Sequence, residues 1–182
     1  MDVSVDFREE TQSDKTTTST PSHSNQAWKM FFDGEYTKDG AGVGVVLVPH
    51  EGERITVSHK LQFETMNNIA KYEALVLGLE AAKKMGVRSI SVFGDSELVV
   101  KQVRQQYQCK HLRMKSYRNY VWDIVDNFFD AFNITFLPRE ENSEAYALAA
   151  AGSTFNTPLM LKIEHEVEIR HRSSIPDNVK HW

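Results

Sequence analysis

One cysteine and five prolines are all that the 182 residues hold of the types that staple or break a chain. The lone thiol, Cys109, cannot close an internal disulfide. A disulfide-framed extracellular domain is therefore excluded, and a reducing compartment fits. Cys109 is expected to be a small buried or half-buried hydrophobe. Long apolar runs are also missing. The longest, VGVVLV (43–48), is strand-sized, whereas a membrane helix needs roughly 18 apolar residues. No apolar core of a signal peptide occurs in the first 27 residues, so an intracellular protein of cytoplasm or nucleus is expected, with no membrane association and no secretion. Net positive charge is absent as well: the formal charge is −4, so any nucleic-acid surface must be a local patch. Residues 9–26, EETQSDKTTTSTPSHSNQ, lack an apolar period. They cannot bury enough surface to offset the entropy of ordering, and a disordered N-terminal arm over 1–27 is expected.

Order begins at Trp28. WKMFFDG reads as a strand stopping at Gly34, AGVGVVLV (41–48) as a second strand closed by Pro49, and RITVSHKLQF (54–63) as a third. Their spacing predicts an antiparallel meander. Asn67 or Asn68 then caps a helix with Ile69, Tyr72, Val76 and Leu79 on its apolar face, joined by Leu75 and Ala82. Lys83, Lys84 and Gly86 mark its end. SISVF (89–93) is a short buried strand reached by a helical crossover, hence parallel to the first. Helices are expected at roughly 97–107 and 111–131, a fifth strand at 133–137 and a last helix at 142–152. The fold class is α/β: a mixed five-stranded sheet, three antiparallel strands followed by parallel ones, flanked by helices. The domain is expected to span 28–153. A tail over 154–182 carries LKIEHEVEIR (161–170), whose alternation suits an edge strand or a strand seeking a partner.

Asp33 and Asp95 close the first and fourth strands of this scheme, which are neighbours in such a sheet. Either alone reads as a turn or cap residue. Together they repel unless a divalent cation joins them, and oxygen ligands select Mg²⁺ or Mn²⁺. From Lys101 to Arg118 the chain carries Lys101, Arg104, Lys110, Arg113, Lys115 and Arg118 with His111 and no acid, with Tyr107 and Tyr117 interleaved. That is a phosphate-binding footprint on an acidic protein, although charge runs are more often solvated faces.

The motifs WKMFFDG, GAGVGVVLV, NNIAKYEALVLGLEAAKKMGV, VFGDSELVVKQV and LPREENSEAYALA resemble the ribonuclease H family. More narrowly, the chain resembles the ribonuclease H domain of plant gypsy-type retrotransposon polyproteins. The tail IEHEVEIRHRSSIP (163–176) resembles their segment leading toward integrase. The resemblance implies four carboxylates holding two metal ions. Asp33 and Asp95 stand at the first and third positions, but Lys71 holds the second and Tyr146 the fourth. It further implies that one ion is weakly held by Asp33 and Asp95. Gly34 is expected to let a backbone approach RNA, and Asn67 and Asn68 to contact 2′-hydroxyls. Glu73 lies two helix positions past Lys71, a rotation of about 200°, and is expected to point away from Asp33 as a solvated or flanking charge.

Three functions follow as expectations. The first is a metal-dependent nuclease cutting RNA in RNA/DNA hybrid or double-stranded RNA with a depleted carboxylate set. The second is a retroelement-derived module that holds such duplexes without cutting. The third is a protein partner joining the 161–170 strand by β-augmentation. Asp33 and Asp95 favour the first, which takes a narrow lead; Lys71 and Tyr146 favour the second.

Overall fold

The computed structural model describes residues 26–63, 65–154, 167–170 and 173–175. The expected N-terminal arm lies almost wholly outside them, as does 161–166 of the expected tail strand. The elements run β1 (Trp28–Thr37), β2 (Gly40–Val48), β3 (Ile55–Leu61), α1 (Asn67–Lys84), β4 (Ser89–Gly94), α2 (Glu97–Val103), α3 (Leu112–Phe128), β5 (Ala131–Phe136), a 3₁₀ turn (Arg139–Asn142), α4 (Ser143–Ser153) and β6 (Val167–Arg170). They form one mixed sheet in the order β5-β4-β1-β2-β3-β6. β1, β2 and β3 pair antiparallel, while β4 runs parallel to β1 and to β5. The expected five strands are therefore present. The tail adds a sixth, β6, parallel to β3 at the sheet edge. No helix among the described residues is long and apolar enough to cross a membrane.

Several boundaries move, each for a local reason. β1 does not stop at Gly34: its register with β2 continues through Thr37↔Gly40, and Gly40 turns the chain at φ +131°. α2 ends at Val103 rather than near 107, because Gln105 takes a left-handed φ of 64°. β5 begins at Ala131, two residues before the expected start. Neither Asn67 nor Asn68 caps α1. Met66 occupies that position without a side-chain cap, and Asn67 Oδ1 instead accepts the Tyr36 N–H at 2.9 Å. The other end behaves as expected. Gly86 donates to Lys83 O and Val87 to Ala82 O, both at 3.0 Å, which is a Schellman closure.

Alternation along β2 divides the sheet. Val43, Val45 and Leu47 pack in the main core with Met30 of β1 and with Leu75 and Leu79 of α1. Gly42 and Gly44 face α4 on the opposite side, where an added Cβ would overlap the backbone of Ala149, Ser153 or Ala145. Missing side chains thus let α4 lie directly on β2. α1 is buried from both sides, by the sheet and by α3, which is why Ile69, Tyr72, Leu75, Val76 and Leu79 leave almost no surface exposed.

Two polar residues of α1 are buried with them, and one overturns an expectation. Glu73 is 0% exposed. It does point away from Asp33, but toward a built partner set and not toward solvent. It accepts the Tyr117 hydroxyl at 2.7 Å, the Ser174 N–H at 3.1 Å and the Ser174 hydroxyl. Ser173 also shares a hydrogen bond with Tyr117 at 2.7 Å, and Ile175 packs on the core. β6 and residues 173–175 therefore form a strap fastened across α1 and α3, so the folded unit extends beyond the expected boundary at 153. Replacing Glu73 with alanine should cost about 3 kcal/mol in urea unfolding, because the buried Tyr117 hydroxyl loses its acceptor. Ending the chain after Thr154 should lower the unfolding temperature by several degrees. An unchanged stability in both variants would mean that the strap is an ornament.

Candidate active centre and nucleic-acid grip

The parallel register Phe32↔Gly94 sets Asp33 and Asp95 one residue beyond the last β1–β4 pair. They sit together at that end, as expected. Gly34 then decides what joins them. An added Cβ there would overlap the backbone of Ala70 and Lys71. The glycine therefore serves the close approach of α1 to β1. The approach delivers Lys71 to the carboxylates.

The Lys71 ammonium is hydrogen-bonded to Asp33 Oδ1, lies 3.3 Å from Asp95 Oδ1 and 3.8 Å from Glu35 Oε2. The side chains of Asp33 and Asp95 are 0% and 3% exposed, and that of Lys71 is 11% exposed. Arg139, from the 3₁₀ turn, adds a second cation at 3.4 Å from Asp95 Oδ2 and 3.2 Å from Glu35 Oε2. Its guanidinium stacks over the Tyr146 ring with 4.6 Å to the centroid. At the position where the resemblance implies a fourth carboxylate, Tyr146 is thus a platform for a cation. Asn142 ties this end of α4 to β1 by donating to Phe32 O at 3.0 Å. Arg139 and Glu35 were not anticipated from the sequence. The only available signal was their charge beside motif residues.

Burial pushes the Asp33 carboxyl up to about 7, against the lowering pull of Lys71. Burial also disfavours the Lys71 ammonium. The carboxylates of Asp33, Asp95 and Glu35 outweigh that effect and raise it above the ordinary lysine value. Lys71 is therefore a firmly held cation at neutral pH.

These residues do not fit the two-ion set that the resemblance implies. No cluster of three or more histidine, cysteine or acidic side chains able to hold a metal ion occurs among the described residues. The inner oxygens of Asp33 and Asp95 both face one ammonium.

The basic segment is partly committed. Lys101 pairs with Glu97 at 2.8 Å one helical turn away, and its ammonium lies 5.0 Å from the Tyr107 ring centroid. Arg118 stacks on Trp122 at 4.3 Å. Tyr117, expected to interleave on this surface, is buried at 0% exposure and belongs to the core. Arg104, Lys110 and Arg113 are exposed and Lys115 is half-buried. His111 caps α3 by accepting the Met114 N–H at 3.3 Å. Cys109 is buried, as expected.

The profile of the family described as Reverse transcriptase-like matches residues 31–152. Ribonuclease HI of Halobacterium salinarum is 34% identical over 121 residues, which are 65% of this chain and 60% of that protein. A bifunctional protein of Mycobacterium tuberculosis is 31% identical over 111 residues, 60% of this chain and 30% of its own length. The chain thus spans about 60% and 30% of these two relatives. Among solved structures, ribonuclease H1 of H. salinarum superposes with a TM-score of 0.65 at 32% identity, covering 70% of this chain and 97% of that one. LC11 ribonuclease H1, solved in complex with RNA/DNA hybrid, gives 0.62 at 28% identity, covering 68% and 94%. The ribonuclease H-like fold is thereby established. The family match ends before β6 and the strap.

Replacing Lys71 with methionine takes the ammonium away from buried Asp33 and leaves Asp95 with Arg139 alone. The expected cost is about 3–5 kcal/mol in urea unfolding. Adding Asp33→Asn should return part of it, since the buried carboxyl then no longer has to be either protonated or left unpaired. A cost below about 1 kcal/mol, typical of exposed pairs, would contradict the buried contact.

Proposed function

We propose that this chain, which belongs to the reverse transcriptase-like family within the ribonuclease H group, holds RNA-containing duplexes without cutting them. The observation carrying this reading is the Lys71 ammonium lodged between Asp33 and Asp95. Hydrolysis of a phosphodiester by metal ions needs open coordination positions, and here the carboxylates are already paired. Holding a duplex needs less. The helix start at Asn67 and Asn68 lies beside β1, with Asn67 bonded to Tyr36. The loop and helix here supply exposed cations for phosphates at Arg104, Lys110 and Arg113, with half-buried Lys115 and Lys101 at their edge. An A-form duplex, either RNA/DNA hybrid or double-stranded RNA, suits recognition by 2′-hydroxyl and phosphate contacts. Likeness to LC11 ribonuclease H1, which was solved with RNA/DNA hybrid, supports the same substrate class. The plant gypsy-type origin and an intracellular setting belong to this proposal too.

A second reading keeps catalysis, with one weakly held Mg²⁺ or Mn²⁺ at Asp33 and Asp95. It is favoured by Asp33 Oδ2, which is buried without a hydrogen-bond partner. A protein partner pairing with the outer edge of β6 is a third and weaker reading.

Fluorescence anisotropy should show the protein binding hybrid and double-stranded RNA equally well in Mg²⁺ and in EDTA, with no product on denaturing gels. Neutralising Lys101, Arg104, Arg113 and Lys115 together should weaken binding for every sequence. It should also flatten the slope of log K against log salt by up to about 3–4 units. Robust cleavage in Mg²⁺ or Mn²⁺ that is lost in Asp33→Asn would establish the second reading instead.

A further inference from the structure

We infer that the centre has exchanged divalent metal for resident side-chain cations, with Lys71 as its permanent counter-ion and the residue that keeps Mg²⁺ and Mn²⁺ out. The inference rests on the reading that the centre does not cut, and it says what occupies that centre. Each carboxylate there already meets a cation through at least one oxygen, with Asp33 Oδ2 left unpaired. Asp33 meets Lys71; Asp95 meets Lys71 at 3.3 Å and Arg139 at 3.4 Å; Glu35 meets Lys71 at 3.8 Å and Arg139 at 3.2 Å. Even with all three carboxylates ionised, the two cations leave only one formal negative charge, too little to compete for a hard dication. The oxygens that would ligate it, Asp33 Oδ1 and Asp95 Oδ1, converge on the ammonium instead. Mg²⁺ demands near-octahedral oxygens at about 2.1 Å. An ion at such distances from both aspartates would lie within a few ångströms of Nζ and be repelled.

Lys71 cannot easily withdraw. The absence of a Cβ at Gly34 presses the α1 backbone at Ala70 and Lys71 onto β1. The residue is 9% exposed, so leaving would strip buried Asp33 of its ammonium and leave Asp95 with Arg139 alone. Arg139 is the looser of the two cations, with its side chain 53% exposed and stacked on Tyr146. Its departure alone would still leave Lys71 between the aspartates.

The test is Mn²⁺ binding by isothermal titration calorimetry, with thermal unfolding of the full chain in Mn²⁺ and in EDTA. The wild type should give no binding heat and the same unfolding temperature in both. Lys71→Glu should bind Mn²⁺ and gain about 5–10 °C at roughly one hundred times its dissociation constant. Adding Asp33→Asn should remove that gain. If Lys71→Glu folds only with Mn²⁺ present, that dependence counts as the gain. Lys71→Gln, which removes the ammonium without adding charge, should show a smaller Mn²⁺-dependent rise. Wild-type protein that binds Mn²⁺ as Lys71→Glu does would overturn the inference, and so would silence of both variants toward Mn²⁺. Failure of the wild type to bind any duplex while remaining silent to Mn²⁺ would contradict the proposed function and leave this inference standing.

Discussion

An ammonium among carboxylates is the constraint on which the rest of this structure turns. Asp33 and Asp95 must lie together because β1 and β4 are parallel neighbours in register. Two buried carboxylates in that position repel each other and lose hydration. Lys71 answers both problems at once, and Arg139 completes the compensation at the second oxygen of Asp95. The arrangement stays local because every participant sits on a fixed element. Asp33 lies on the central strand, Lys71 on the first turns of α1, and Arg139 on a 3₁₀ turn tied to β1 through Asn142.

The same helix that carries Lys71 toward the centre carries Glu73 away from it, into a buried knot with Tyr117 and Ser174. One face of α1 therefore neutralises the sheet end, and the other anchors α3 and the strap. This shared anchoring links the two regions proposed to touch a duplex. α3 bears Arg113 and Lys115, α1 begins at the paired asparagines, and the Tyr117–Glu73 bond fixes one helix against the other.

Much of the architecture was legible in the sequence because its signals were periodic. Alternation marked β2 and β3, the helical repeat marked α1 and α3, and Lys83, Lys84 and Gly86 marked the end of α1. The juxtaposition of Asp33 and Asp95 followed from element order alone. What escaped was non-local. Gly34 looked like a turn glycine, and only the packing of α1 on its missing Cβ reveals its task. Glu73 looked solvated because charged residues on helices usually are. Its partners come from about forty and a hundred residues downstream, beyond the reach of any spacing rule. Tyr117 looked like a surface aromatic because it stands among basic residues, yet helical phase turns it into the core. Arg139 carried no periodic signal at all. Its role depends on a ring, Tyr146, seven residues further along the chain.

The central claim, that a side-chain cation fills this centre, is most directly tested by nitrogen NMR of the Lys71 ammonium in selectively labelled protein. At neutral pH a slowly exchanging ammonium signal is predicted, hydrogen-bonded to carboxylate oxygens and unmoved by millimolar Mg²⁺. A rapidly exchanging lysine with the shift of a free side chain would contradict the account, as would a signal displaced when Mg²⁺ is added.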